Sequence, residues 1–152
     1  MTDVIMREAG ESDRTWAARL MANNDPWITL RRGFEACLAS CTNPADDLHI
    51  AERDGQPCGF VLVRPRGLAG APYIVSIAVD AAHRSTGVGH AMVSFVAERF
   101  SERARHLYLC VSSFNPRARA MYEREGFTKV GELPDFIVDG ASEILMCRRL
   151  AK

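Results

Sequence analysis

One stretch of this chain limits the folds open to it more than any other. Tyr73 to Val79 is a nearly continuous apolar run, short of the roughly 20 residues a membrane span needs and typical of a strand covered on both faces. A short turn then leads to Gly87 and Gly89, and the apolar period becomes helical, with Val88, Met92, Phe95 and Val96 on one stripe of a helix over Val88 to Phe100. Leu107 to Val111 reads as a second strand. Strand, helix and strand in that order favour a parallel pair joined by a right-handed crossover. A sheet with this pair at its centre is therefore expected.

The flanking segments supply antiparallel neighbours. Val4 to Arg7 reads as a first strand, followed by a helix with Ser12 as N-cap and Trp16 and Leu20 on its buried side. Pro26 is placed to open a second helix carrying Leu30, Phe34, Cys37 and Leu38 inward, weakened by Gly33. Leu48 to Arg53, the Asp54-Gly55 turn and Cys58 to Arg64 form a hairpin, and Pro65 to Pro72 reads as a loop. Asn115-Pro116 opens a further helix that Gly126 stops, with Ala118, Met121 and Tyr122 inward. Phe127 to Leu133 and Ser142 to Arg149 pair around Asp139-Gly140. The order predicts an α+β protein: a mixed, mostly antiparallel twisted sheet with helices on both faces, and a single domain over residues 1–152.

Composition excludes several function classes. Nineteen basic and nineteen acidic residues give no net charge, so no nucleic-acid or membrane partner is expected through the overall field. The first residues lack an apolar signal core, and five cysteines without a Cys-x-x-Cys pair read as reduced thiols, so a cytoplasmic protein is expected. Cys37 and Cys41 with His49 form only a partial zinc set, and packing as small apolar residues is the simpler reading, so no metal is expected.

The chemistry-bearing segment is Ile77-Ala78-Val79-Asp80-Ala81-Ala82-His83-Arg84-Ser85-Thr86-Gly87-Val88-Gly89-His90. A helix opened by glycines lets main-chain N–H groups approach an anion, and its unpaired amides favour a phosphate. No Gly-Lys-Ser/Thr closes a P-loop, and Met92 occupies the position of a dinucleotide fingerprint's third glycine. Arg84-x-x-Gly87-x-Gly89 after a strand resembles the acetyl-CoA diphosphate loop of the GNAT superfamily of N-acetyltransferases. Asn115 to Phe127 is similar to that superfamily's Asn-x-x-Ala-x-x-x-Tyr-Glu-x-x-Gly-Phe block.

The resemblance implies a splayed central parallel pair whose gap takes the pantetheine arm, with acetyl-CoA as cofactor. It assigns main-chain contacts to Ile77, Ala78 and Val79, the diphosphate cradle to Arg84, Ser85, Thr86, Gly87, Val88, Gly89 and His90, and a pantetheine contact to Asn115. The side chains of Ser85, Thr86 and Val88 are expected to matter little. Tyr122, two helical turns beyond Asn115, is implied both to line the cofactor cleft and to donate a proton to the departing thiolate. Ribosomal-protein N-terminal acetyltransferases of the superfamily carry a Glu at the position matching Cys110. An acyl-cysteine route through Cys110 would need a lowered pKa that an apolar strand does not provide. Glu35, His49, Asp135 and Glu143, or a water chain, remain candidates for the base. The first helices and the final hairpin are implied to hold the acceptor, with Trp27, Phe34, Asp135 and Phe136 as candidates.

The reading is an acetyl-CoA-dependent N-acetyltransferase. It would act by direct attack in a ternary complex on a primary amine of a small molecule, amino acid or peptide N-terminus, as a monomer or homodimer. The alternative is a non-catalytic acyl-CoA sensor.

Overall fold

A computed structural model describes residues 2–150. Seven strands form one sheet: β1 (Ile5–Glu8), β2 (Asp47–Arg53), β3 (Gln56–Leu68), β4 (Ala71–Val79), β5 (His106–Ser112), β6 (Thr128–Pro134) and β7 (Ser142–Arg149). Helices α1 (Glu11–Ala22), α2 (Phe34–Cys41), α3 (Val88–Phe100) and α4 (Pro116–Arg124) connect them. The spatial order is β1-β2-β3-β4-β5-β7-β6. Every neighbouring pair is antiparallel except β4 and β5. This is the predicted mixed sheet with one central parallel pair.

Each sheet face buries a separate apolar cluster, and strand alternation assigns residues to them. On one face Ile74, Leu107, Leu109, Val111, Ile144 and Met146 pack with Val88, Met92 and Val96 of α3 and with Tyr122 of α4. On the other, Ile50, Phe60 and Leu62 pack with Ala17, Ala18 and Met21 of α1 and with Cys37 and Cys41 of α2.

The parallel pair barely pairs. Tyr73 opposes Tyr108 and Ile74 opposes Leu109, and no further partners follow. On its other edge β4 stays bonded to β3 as far as Val79, but the register slips: Leu62 opposes Ser76 while Val63 opposes Ile74. The extra residue, Val75, is a bulge, and a bulge bends the strand that carries it. Past Ile74, β4 therefore follows β3 and leaves β5, so the main-chain groups of residues 75–79 that face β5 have no strand to pair with.

Local expectations are corrected in three segments. Gly10, not Ser12, caps α1, and the Asp13 carboxylate accepts from the Gly10 N–H at 2.7 Å and from Arg7 at 2.6 Å. Pro26 opens no helix: residues 24–32 form successive turns and Arg31 adopts a left-handed φ of 58°, so α2 starts only at Phe34 with Gly33 as its N-cap. Leu30 lies outside that helix, and Gly33 begins it rather than weakening it. Residues 65–72 are not a loop: β3 and β4 extend almost to the turn at Ala69-Gly70. Gly67 permits this, because a Cβ there would stand 2.7 Å from that of Tyr73.

Candidate functional site: the cleft between the parted strands

The parting of β4 from β5 opens a cleft of about 980 Å³. Its walls come from both sheet faces, because the gap runs through the sheet.

On the α3 and α4 side, the chain leaves Val79, makes a 3-10 turn over Ala81–His83 and enters α3 through Gly87, whose φ of 93° is in the region that favours glycine. A Cβ on Gly87 would meet nothing within 4 Å, so conformation, not space, requires glycine there. No side chain caps α3, so its first amides stay free for an anion. Arg84, Ser85, Gly87, Gly89 and His90 line the cleft. Arg84 donates to the Asn24 side-chain oxygen at 2.9 Å, and His90 Nδ1 lies 2.8 Å from Glu125. Thr86 and Val88 are not on the wall: Val88 is buried in the core under α3, and Thr86 turns away to bond Arg53. The free edge of Ile77, Ala78 and Val79 also lines the gap. This combination of open strand edge and uncapped glycine turn fits the pantetheine arm and diphosphate of acetyl-CoA.

Helix α4 adds two polar groups. Asn115 caps it, its Oδ1 accepting from the Ala118 N–H at 3.3 Å, and Asn115 also lines the cleft. Tyr122 is 7% exposed and packs edge-on against Phe127 at 6.0 Å. Its hydroxyl has no hydrogen-bond partner among the described residues, and burial raises its pKa, keeping the phenol protonated.

The α1 and α2 side is built from side chains. Alternation on β5 and β7 puts Cys110, Ser112 and Glu143 on the face opposite Val111 and Ile144, and Tyr73 joins them from β4. All four line the cleft. Glu143 is 8% exposed, accepts from the Ser112 hydroxyl at 2.6 Å and has no cation within 4 Å among the described residues. Burial raises its pKa, partly offset by that hydroxyl. Burial also raises the Cys110 thiol, which sits against Tyr73.

The other base candidates lie elsewhere. His49 is on the opposite face of β2, its ring 4.9 Å from that of Phe95, and burial lowers its pKa. That position also separates His49 from Cys37 and Cys41, which are buried on the inner side of α2 against the other face of the sheet. Glu35 is exposed on α2, off the cleft wall. Asp135 holds a turn, accepting from the Gly140 N–H at 2.6 Å.

Among the acceptor candidates Trp27 lines the cleft with its ring tilted against that of Phe60 at 6.4 Å, but Phe34 is off the wall, beneath the Arg19 guanidinium. Phe136 is 63% exposed and off the wall, and its neighbour Ile137 lines the cleft instead. Sequence reasoning missed Ile137, Ser112, Tyr73 and Arg32 as lining residues. Only the pairing register of β4, β5 and β7 could have found the middle two.

Known proteins share this sequence pattern and this fold. Residues 10–127 match the model of the Acetyltransferase (GNAT) family. A curated relative, the 5-NmdU N-acetyltransferase of Pseudomonas phage PaMx11, is 33% identical over 85 residues, which is 56% of this chain and 59% of that protein. Nourseothricin acetyltransferase is 30% identical, covering 72% of this chain and 68% of its own, with a TM-score of 0.63. An aminoglycoside 6′-N-acetyltransferase solved with coenzyme A shares the fold at a TM-score of 0.79, with 16% identity over 97% and 98% of the two chains. Among the described residues no helix is long and apolar enough to cross a membrane. The chain belongs to the GNAT family of acetyltransferases.

Proposed function

We propose that this acetyltransferase moves the acetyl group to a primary amine by direct attack within a ternary complex. Acetyl-CoA supplies an acetyl group activated as a thioester. The amides of residues 85–90 hold the diphosphate, the open edge of residues 77–79 and Asn115 hold the pantetheine arm, and a main-chain N–H near Val79 polarises the carbonyl. The amine enters from the α1 and α2 side. Its ammonium proton passes to Glu143 and from there to water, the C–N bond forms as the C–S bond breaks, Tyr122 donates its proton to the departing sulfur, and the second proton shed by the nitrogen as it becomes an amide restores the Tyr122 phenol.

The observation that carries this reading is the pairing of two groups in one cleft through the sheet. Glu143 is a buried carboxylate with no cation of its own, and Tyr122 is a phenol with no hydrogen-bond partner. A carboxyl whose pKa is raised by burial is better matched to an amine's proton than an ordinary surface acid. The raised Cys110 thiol favours direct transfer over an acyl-cysteine route. The relative and the structural neighbours named above are N-acetyltransferases or acetyltransferases by name, which supports an amine acceptor without choosing one.

The test is thiol release from acetyl-CoA across a panel of amines. Acceptor-stimulated release is expected, and Tyr122→Phe should lower kcat about 100-fold with acetyl-CoA affinity unchanged. Tight coenzyme binding with no stimulated release across the panel would make the protein a sensor, and an unchanged kcat in Tyr122→Phe would remove the phenol from the chemistry.

A further inference from the structure

Arg53 is the one arginine among the buried residues, 9% exposed at the end of β2. It has no carboxylate within 4 Å among the described residues, and every bond it makes goes to a neutral oxygen. Its Nη1 donates to Thr86 Oγ1 at 2.9 Å, its Nη2 to the Thr86 carbonyl at 3.1 Å and its Nε to the Thr2 carbonyl at 3.0 Å. Thr86 Oγ1 in turn donates to the His83 carbonyl. A buried guanidinium is costly to leave without a counter-charge. Yet here it is spent on the turn that opens α3.

The geometry of one peptide explains what this contact does. In a planar trans peptide the C=O and N–H point in opposite directions. Holding the Thr86 carbonyl toward Arg53 therefore aims the Gly87 N–H away from it, and Gly87 lines the cleft. The hydroxyl bridge from Thr86 to His83 fixes the preceding turn at the same time.

We propose that Arg53 is a positioning residue for the cofactor's diphosphate, acting from behind the turn. It orients the Gly87 amide and leaves one positive charge uncompensated close behind the cradle, which the bound diphosphate neutralises. This rests on the diphosphate lying in that turn, and it adds a side-chain component to a cradle otherwise made of main chain. The Thr86 side chain, expected to be neutral, is the link through which Arg53 acts.

Calorimetric titration of the full chain with acetyl-CoA and with S-acetylpantetheine, which lacks the diphosphate, tests the assignment. Arg53→Met should weaken acetyl-CoA about 10-fold, the effect of losing a charged hydrogen bond, and leave S-acetylpantetheine within about twofold. Arg53→Lys, which keeps the charge without the fork, should fall between Arg53→Met and wild type. Thr86→Val should show the same split with a smaller loss, and it carries the test if Arg53→Met does not fold. Equal weakening of both thioesters, or of neither, would overturn the proposal. Neither titration needs an acceptor amine, so a failure of amine acetylation would not be mistaken for a failure of Arg53. If wild type bound the two thioesters equally well, the diphosphate would not lie in the turn, and both this proposal and the cofactor assignment would fall.

Discussion

The two sides of the cleft are made of different materials. On the α3 and α4 side the recognition surface is mostly backbone: an open strand edge, a glycine with positive φ and a helix start left uncapped. On the α1 and α2 side it is mostly side chain, with Tyr73, Cys110, Ser112 and Glu143 projecting from three strands of one face. A backbone surface depends on conformation and tolerates changes of side chain, as suits a cofactor common to the whole family. A side-chain surface can be rewritten residue by residue, as suits an acceptor that differs among its members.

The contrast predicts where substitutions should matter. Gly87→Val forces a β-branched residue to φ 93°, and acetyl-CoA affinity should fall about 100-fold by calorimetry. Ser85→Ala, two residues earlier on the same wall, should change it less than about twofold. Similar effects at both positions would erase the distinction between the two sides.

Glu143 sharpens the other half. Glu143→Gln should lower kcat/KM by about 100-fold while leaving acetyl-CoA binding intact. In wild type, kcat/KM should gain activity as pH rises through the raised pKa of Glu143, and the variant should lose that limb. The effect on stability has the opposite sign. A carboxyl whose folded pKa is raised favours folding when protonated and opposes it once ionised, so its contribution is lost as pH rises through the folded value. Glu143→Gln should therefore melt higher than wild type, and the gap should widen with pH over that range. A variant that melted lower across all pH would mean that the Ser112 bond outweighs the burial of the charge.

What was legible in the sequence follows the same division. The turn at residues 84–90 and the Asn115 to Phe127 block are local: each is specified by glycines, a cap and a helical period within about 14 residues, so contiguous sequence reveals them. The acceptor side is assembled across the chain. Glu143 could not be told from Glu35, His49 or Asp135 until the pairing of β5 with β7 set which face each residue occupies, since a one-residue slip sends a side chain to the other side of the sheet. The bulge at Val75 depends on β3, and the Arg53 bond to Thr86 spans 33 positions. The turns at residues 24–32 were hidden by Arg31, a non-glycine residue in the left-handed region that no local pattern marks.

The most direct measurement is a crystal structure with acetyl-CoA bound. The diphosphate is expected on the amides of residues 85–90, the pantetheine arm along the open edge of residues 77–79 and the thioester sulfur within hydrogen-bond reach of the Tyr122 hydroxyl. A diphosphate bound away from this turn, or a thioester remote from the space between Tyr122 and Glu143, would contradict this arrangement.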